Sequence, residues 1–100
     1  MNNKTKQIIS EIQKYKGENF AVLCAVEEMS ELIKALTKSI NRGKNNHDKI
    51  FEEVADVMIV LEHIKIIYDL RDQELFEYIN KKMPEKWSHK IEQWKVENES

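Results

Sequence analysis

Two acidic pairs, placed symmetrically about one turn signal, constrain the fold of this chain more than any other feature. They are Glu28 with Glu31 and Glu53 with Asp56. Each pair has i, i+3 spacing, so its two carboxylates share one face of a helix. The pairs lie at equal distances from Arg42, whose neighbouring Asn and Gly residues form the strongest turn signal in the sequence. Folding the chain back there predicts an antiparallel helical hairpin in which all four carboxylates meet.

Acidic i, i+3 pairs are common on solvated helix faces, but the helical phase of these pairs argues for a partly buried position. Glu28 falls among Ala21, Cys24 and Ala35, and Glu53 falls in a sector of branched aliphatic residues. Burying such carboxylates without partners would be costly, and four together would repel one another. A shared cation would relieve both problems. All-oxygen donors suit a hard divalent ion, Mg²⁺ or Mn²⁺.

The rest of the chain also has a helical composition. Its 100 residues include only two Gly and one Pro, and we expect one all-α domain over residues 1–100, an antiparallel bundle of four to five helices. The apolar periodicity and end signals predict helices over about 4–15, 19–40, 46 or 48 to 69, and from 72 onwards. Asn19 is the expected cap of the second helix. Pro84 is expected to kink or split the last helix.

The third predicted helix has apolar side chains nearly all round, over residues 50–67. A monomer of this size cannot cover all of that surface, because small domains bury a modest core. We therefore expect oligomerisation to complete the core, as a homodimer or a dimer of dimers.

Composition narrows the range of partners and the location. The formal net charge is −2, so nothing favours nucleic acid or an anionic membrane as a partner. The longest apolar run, 20–26, is too short to cross a bilayer. Cys24 is the only cysteine, and the polar start of the chain has no apolar signal core behind it. A cytoplasmic location is the expectation.

The acidic residues and their surroundings resemble the MazG-like all-α nucleoside triphosphate pyrophosphohydrolases, in particular small, phage-type members. The family signature EExxE, a variable gap and then ExxD is matched by EEMSE at 27–31 and EVAD at 53–56. Lys49 lies one helical turn before the second motif. The segment 79–87, INKKMPEKW, looks like the closing motif Asn-x-Lys-x-x-x-Arg followed by an aromatic residue. The likeness covers roughly 20–87.

The sequence departs from the closing motif at two positions. Lys86 stands where the family has Arg, which keeps the charge but loses the bidentate fork for phosphate. Pro84 lies between Lys82 and Lys86. Both departures affect the closing segment that carries lysines, whereas the acidic residues match the family signature.

The resemblance implies an enzyme that hydrolyses a nucleoside triphosphate to the monophosphate and pyrophosphate with Mg²⁺, or with Mn²⁺. The implied metal ligands are Glu28, Glu31, Glu53 and Asp56. Glu27 and Glu31 are both candidates for the group that takes the proton of the attacking water, and the choice between them stays open.

The resemblance also assigns residues to the phosphates and to the base. The cations that would pair with the polyphosphate are Lys49, Lys82 and Lys86. Asn80 would hydrogen-bond phosphate or sugar. Related proteins turn the first helix and the start of the second towards the base, which points to Tyr15 and Phe20, together with Ile12 and Gln13.

Other functions remain open at this point. The chain could be a non-catalytic helical protein-interaction module that keeps the fold, or a relative of the dimeric dUTPases or dCTPases. The phosphoribosyl-ATP pyrophosphohydrolase branch is disfavoured, because Met58 and Ile59 stand where it tends to carry Tyr-His. The three histidines lack zinc-site spacing such as HExxH, and His63 lies ten residues after Glu53, which does not suit a di-iron bundle.

Overall fold

Four α-helices make up the part of the chain that the computed structural model describes, residues 1–42 and 46–99. They are α1 (Asn3–Lys16), α2 (Glu18–Arg42), α3 (His47–Ile67) and α4 (Asp72–Glu99). No strand occurs among these residues, so the prediction of an all-α fold is confirmed. The centre of the predicted turn, 43–45, lies outside the described residues.

Local hydrogen bonds set the ends of α1. The side-chain oxygen of Asn2 accepts a hydrogen bond from the backbone N–H of Thr5 at 2.9 Å, which caps the first turn. Gly17 closes the helix with a φ of +84°, a conformation that favours glycine. Because α2 begins at Glu18, directly after that glycine, the prediction that Asn19 caps α2 is wrong. Asn19 lies inside the first turn of α2 instead.

The helices α2 and α3 pack against each other as an antiparallel hairpin. Near its closed end, the side-chain amide of Asn46 donates to the carbonyl of Ala35 at 3.3 Å. Farther along, Glu28 of α2 lies beside Glu53 of α3. Earlier positions of α2 therefore face later positions of α3, as the symmetry of the acidic pairs predicted.

The core of the first three helices is a narrow seam. Its buried apolar side chains are Ile9, Ala21, Ala25, Ala35 and Val60. The three alanines of α2 are small, so its backbone can approach its neighbours closely. Two ionisable side chains, Glu53 and His63, are also buried. The seam is therefore not a purely apolar core.

The first helix is tied to the third by a side-chain hydrogen bond. Gln13 donates through Nε2 to the backbone carbonyl of His63 at 3.0 Å, and Ile9 is buried on the same helix. This places α1 near the far end of α3 from the hairpin turn.

The chain divides into two compact units, Met1–Asp69 and Leu70–Ser100, and α4 forms most of the second. α4 continues through Pro84 as one helix, so this proline does not split it, and of the two expected effects the kink stays a prediction. Proline has no N–H to donate, so the carbonyl of Asn80 loses its usual helical partner there. None of the helices described here is long and apolar enough to span a bilayer.

Candidate metal centre

Three carboxylates converge where the middle of α2 faces α3. One oxygen from each of Glu28, Glu53 and Asp56 lies within 4.8 Å of the other two. The two residues of α3 share a face because of their i, i+3 spacing. Glu28 joins them only because the hairpin is antiparallel, so the group is a product of tertiary packing. We refer to these three residues as the carboxylate cluster.

Glu53 is the buried member of the cluster, with 4% of its surface exposed. Its Oε1 accepts a hydrogen bond from Lys49 Nζ at 2.8 Å. Its Oε2 is buried and has no hydrogen-bond partner. Leaving a charged oxygen unpaired in this way costs more than about 1–3 kcal/mol, the penalty for a neutral polar group. A buried, unpartnered anionic oxygen beside two further carboxylates is what a cation would satisfy.

The field at the cluster is strongly negative. The pKa of Glu28 is raised above its ordinary value, first by burial and then by the negative charges of Asp56, Glu53, Glu31 and Glu27. Each of these effects disfavours the ionised form of Glu28. A divalent cation would reverse that balance and favour the carboxylate.

Lys49 is the cation at the edge of the cluster. Its pKa is raised by its hydrogen bond to Glu53, by the charge of the same residue, and by the charges of Glu52 and Glu31. It lies one turn before Glu53 on α3, so ordinary i, i+4 helix geometry brings the pair together. The ammonium group leaves the second oxygen of Glu53 unpartnered.

The fourth predicted ligand, Glu31, does not belong to the cluster. Its carboxylate lies 3.4 Å from Lys34 Nζ, in an ion pair along α2. Glu31 is nevertheless near enough for its charge to act on both Glu28 and Lys49. Glu27 is exposed, and its charge also acts on Glu28. The structure thus brings one oxygen from each of three of the four predicted ligands within 4.8 Å of the others. Both candidate proton acceptors are near enough for their charges to act on Glu28.

The predicted phosphate-binding lysines of α4 have neighbours on their own helix. Lys82 Nζ lies 3.8 Å from a carboxylate oxygen of Glu85 and 5.8 Å from the ring centroid of Tyr78. Lys86 Nζ lies 5.6 Å from the ring centroid of Trp87. Both lysines line a surface groove of about 290 Å³ on α4. This helix therefore presents a cationic and aromatic surface.

The other predicted substrate-binding residues are exposed. Asn80 is on α4, Tyr15 is 76% exposed near the end of α1, and Phe20 is 41% exposed near the start of α2. Phe20 precedes Glu28 by eight residues, which is about 12 Å along a helix axis. Tyr15 and Phe20 thus lie on either side of the junction between α1 and α2. Phe20 is well away from the cluster along the axis of α2.

His63 is a residue whose burial the sequence analysis did not predict. It is 6% exposed, its Nδ1 is buried without a hydrogen-bond partner, and burial lowers its pKa. Motif comparison gave it no role, because it lacks zinc-site spacing. Its distance of seven residues from Asp56 was the available signal, since seven residues make two helical turns and return to the same face.

Comparisons of the chain with protein-family models, with curated proteins and with solved structures found no match.

Proposed function

We propose that this protein hydrolyses a nucleoside or deoxynucleoside triphosphate to the monophosphate and pyrophosphate with Mg²⁺ as its cofactor, and so acts on the nucleotide pool. The observation that carries the proposal is the carboxylate cluster around the unpartnered Oε2 of Glu53. The resemblance of the two acidic motifs and of the 79–87 segment to the MazG-like family supplies the substrate class and the reaction.

The donor set of the cluster fits Mg²⁺. Glu28, Glu53 and Asp56 offer only carboxylate oxygens, which hard divalent ions prefer, and a Mg²⁺ site commonly leaves positions for water and substrate phosphate. These three residues would hold the ion, and Oε2 of Glu53 would gain its missing partner. When bound, the ion would supply charge neutralisation at the phosphate oxygens and would lower the pKa of a bound water.

Lys49 would bind the polyphosphate from the edge of the cluster. Its side chain is 55% exposed, so Lys49 can pair with a phosphate oxygen while it stays beside Glu53. As a compact point charge it suits phosphate without imposing a bidentate geometry. The raised pKa of Lys49 keeps the side chain positively charged.

Two groups near the cluster can accept the proton of the attacking water. Glu31 and Glu27 both lie close enough to influence the pKa of Glu28, and neither is part of the cluster. A carboxylate that is not fully engaged as a metal ligand remains free to act as a base. Lys82, Lys86 and Asn80 are assigned to phosphate and sugar by the closing motif.

The test is a nucleotide panel. The protein is incubated with each ribo- and deoxyribonucleoside triphosphate and Mg²⁺, and pyrophosphate and monophosphate are both measured. We expect equal release of the two products, which a chelator abolishes and which is lost in Glu28→Gln and Asp56→Asn. Glu62→Gln is the matched control, because Glu62 lies on α3 and pairs with Lys65 outside the cluster.

Two outcomes would contradict parts of this proposal. Hydrolysis that persists unchanged in Glu28→Gln and Asp56→Asn would exclude the carboxylate cluster as the site. No release from any nucleotide, while Mg²⁺ still raises the thermal stability, would instead favour a non-catalytic protein-interaction module. A strong preference for dUTP or dCTP would indicate a relative of the dimeric dUTPases and dCTPases.

The same proposal includes a homodimer or a dimer of dimers, working in the cytoplasm where the nucleotide pool lies. Support comes from large apolar side chains on α2 and α3 that one copy leaves exposed, among them Leu23, Phe51 and Met58. Contiguous exposed apolar surface on a small protein commonly marks an interaction site. Light scattering at micromolar concentration is expected to give at least twice the mass of one chain, and the mass of a monomer would contradict it.

A further inference from the structure

One side of α2 carries a row of large apolar side chains that a single copy of the chain leaves largely exposed. The row follows alternating steps of four and three residues along the helix, through Val22, Val26, Met29, Ile33, Leu36 and Ile40. From Val26 onwards these residues are 37–82% exposed. Alternating steps of four and three are the spacing of the apolar seam by which one helix packs on another. The row therefore indicates packing against a further helix.

A second row of the same kind runs along α3. It consists of Phe51, Val54, Met58 and Leu61, at steps of three, four and three residues, and each of them is at least 40% exposed. A surface groove of about 270 Å³ runs between these side chains, and its lining is mostly apolar. We refer to the two rows together as the apolar face.

The two rows lie on the same side of the hairpin. On α2, Val26 directly follows the buried Ala25, and on α3, Leu61 directly follows the buried Val60. One residue turns a helix by about 100°, always in the same rotational sense. Because the two helices are antiparallel, this turn away from the seam leads to the same side of the hairpin in both.

The acidic side of α2 points the other way. Glu31 lies two residues before Ile33, which places the two side chains about 160° apart around the helix axis. A partner on the apolar face therefore does not cover Glu31.

The chemistry of the apolar face suits a second copy of the chain. No member of either row is charged. Ser30 and Thr37, which flank the row on α2, donate their hydroxyl groups to carbonyls of their own helix at 2.9 and 2.8 Å. A two-fold axis brings the same patch of both copies together, so charges on it would meet like charges. An uncharged face meets this requirement, whereas different proteins are commonly matched by opposite charges.

The size of the apolar face is also sufficient for a dimer. The row on α2 extends over 18 residue steps, from Val22 to Ile40, which is about 27 Å along the axis. Two helices side by side are about 20 Å wide, so one copy offers on the order of 540 Å². Two copies together would bury about 1,100 Å², which exceeds the roughly 1,000 Å² that a specific interface needs.

We propose that the apolar face joins two copies of this protein across a two-fold axis, with α2 and α3 of each copy forming half of a four-helix bundle. This inference rests on the homodimer included in the function proposed above, and it goes beyond that function by assigning the surface through which the copies pair. The carboxylate cluster of each copy is then complete without residues of its partner.

The first experiment compares two substitutions on α3. Val54 belongs to the apolar face, and Ile59 lies five residues later, about 140° around the helix, yet both are 40% exposed. Sedimentation equilibrium is measured with chelator and without nucleotide. We expect Val54→Glu to raise the dissociation constant of the dimer about a hundredfold or more, because it places an unpaired charge in an apolar contact. Ile59→Glu should leave the constant unchanged, and circular dichroism should show equal helix content in both variants.

The second experiment needs no charged substitution. Cys24 is replaced by Ser, and a single thiol is introduced by Ile33→Cys on the apolar face or by Ile59→Cys away from it. The rate of thiol alkylation is then measured from low to high protein concentration. We expect the rate for Ile33→Cys to fall in proportion to the fraction of monomer, and the rate for Ile59→Cys to stay constant.

The outcomes separate this inference from the function on which it rests. A dissociation constant unchanged in Val54→Glu, or an alkylation rate for Ile33→Cys that does not depend on concentration, would overturn the assigned surface while the homodimer stands. A monomer at all concentrations would contradict both. Neither measurement involves a nucleotide or a metal, so a failure to hydrolyse triphosphates would contradict the catalytic proposal alone.

Discussion

The α2–α3 hairpin and α4 carry the proposed chemistry in two different ways. In the hairpin, Glu28 meets Glu53 across two helices, and one buried oxygen is left without a partner. In α4, Lys82 and Lys86 have neighbours within one turn of the same helix. The acids therefore depend on tertiary packing and should act as one unit. The lysines depend only on helix formation and should contribute separately.

The largest expected effect is the loss of activity on substituting one carboxylate of the hairpin. It is compared with the loss on substituting one lysine of α4. Glu53→Gln should lower kcat/KM by on the order of a hundredfold or more, because even substitutions behind direct metal ligands cost about 10- to 100-fold. Lys86→Gln should cost about tenfold, the value of one charged hydrogen bond at an exposed position. Steady-state kinetics at saturating Mg²⁺ measures both.

The matched control for Lys86 is Lys95→Gln, because Lys95 is exposed on α4 and pairs with Glu92 at 3.2 Å. It should keep full activity. An equal loss in Glu53→Gln and Lys86→Gln would show that the two regions act as one unit and would contradict the distinction drawn between them.

The hairpin was predictable because its signals agree at several levels. The acidic pairs stand symmetrically about a turn, their phase places them among small residues such as Ala35, and Gly17 marks the end of the preceding helix. Local and long-range patterns that point to the same structure are typical of sequences that specify it well. The convergence of Glu28 with Glu53 followed from this geometry alone, without the family resemblance.

The differences between expectation and structure come from features that periodicity does not encode. Glu31 shares a helix face with Glu28, but its carboxylate pairs with Lys34 along α2, and its expected role as a metal ligand stays a prediction. Pro84 removes a single helical hydrogen bond, and α4 continues through it. The burial of His63 depends on how α1 packs at the end of the hairpin, which is a long-range contact. The sequence-based roles of the α4 residues stay predictions.

A second effect, of intermediate size, is the change in thermal stability when a negative charge of the hairpin is removed. Without metal, Glu28→Gln should raise the melting temperature, because it removes a carboxylate whose ionised form is disfavoured by burial and by the neighbouring negative charges. With Mg²⁺ at about 100 times its Kd, the unsubstituted protein should gain about 2.7 kcal/mol, and Glu28→Gln should gain much less. Thermal unfolding at fixed protein concentration, with Mg²⁺ or with chelator, measures both changes.

Glu62→Gln, which alters an acid of α3 outside the cluster, should keep the full response to Mg²⁺. The same metal-induced shift in Glu28→Gln and in the unsubstituted protein would mean that the ion binds elsewhere. No shift in either protein would contradict the metal site in the hairpin.

The smallest expected effect is the pH dependence of stability, which should arise in the hairpin rather than in α4. Burial lowers the folded-state pKa of His63 below the ordinary 6.5, so the unfolded chain takes up a proton first as the pH falls. The free energy of unfolding should therefore decrease below pH 6.5, by at most about 1.4 kcal/mol per pH unit for one proton, and level off below the folded pKa. Glu28 acts in the opposite direction, because its folded-state pKa lies above 4.5. Its destabilising charge is fully present above that folded pKa and is gone below 4.5.

Urea unfolding in the presence of chelator, between pH 7.5 and 4, separates these contributions. His63→Leu should remove the decrease that begins near pH 6.5, and Glu28→Gln should remove the opposing gain at lower pH. His89→Leu, on exposed surface of α4, should leave the curve unchanged. If His89→Leu altered the curve and His63→Leu did not, the group responsible for the pH dependence would lie on α4. That result would contradict the distinction between a hairpin organised by tertiary packing and a helix organised by local contacts.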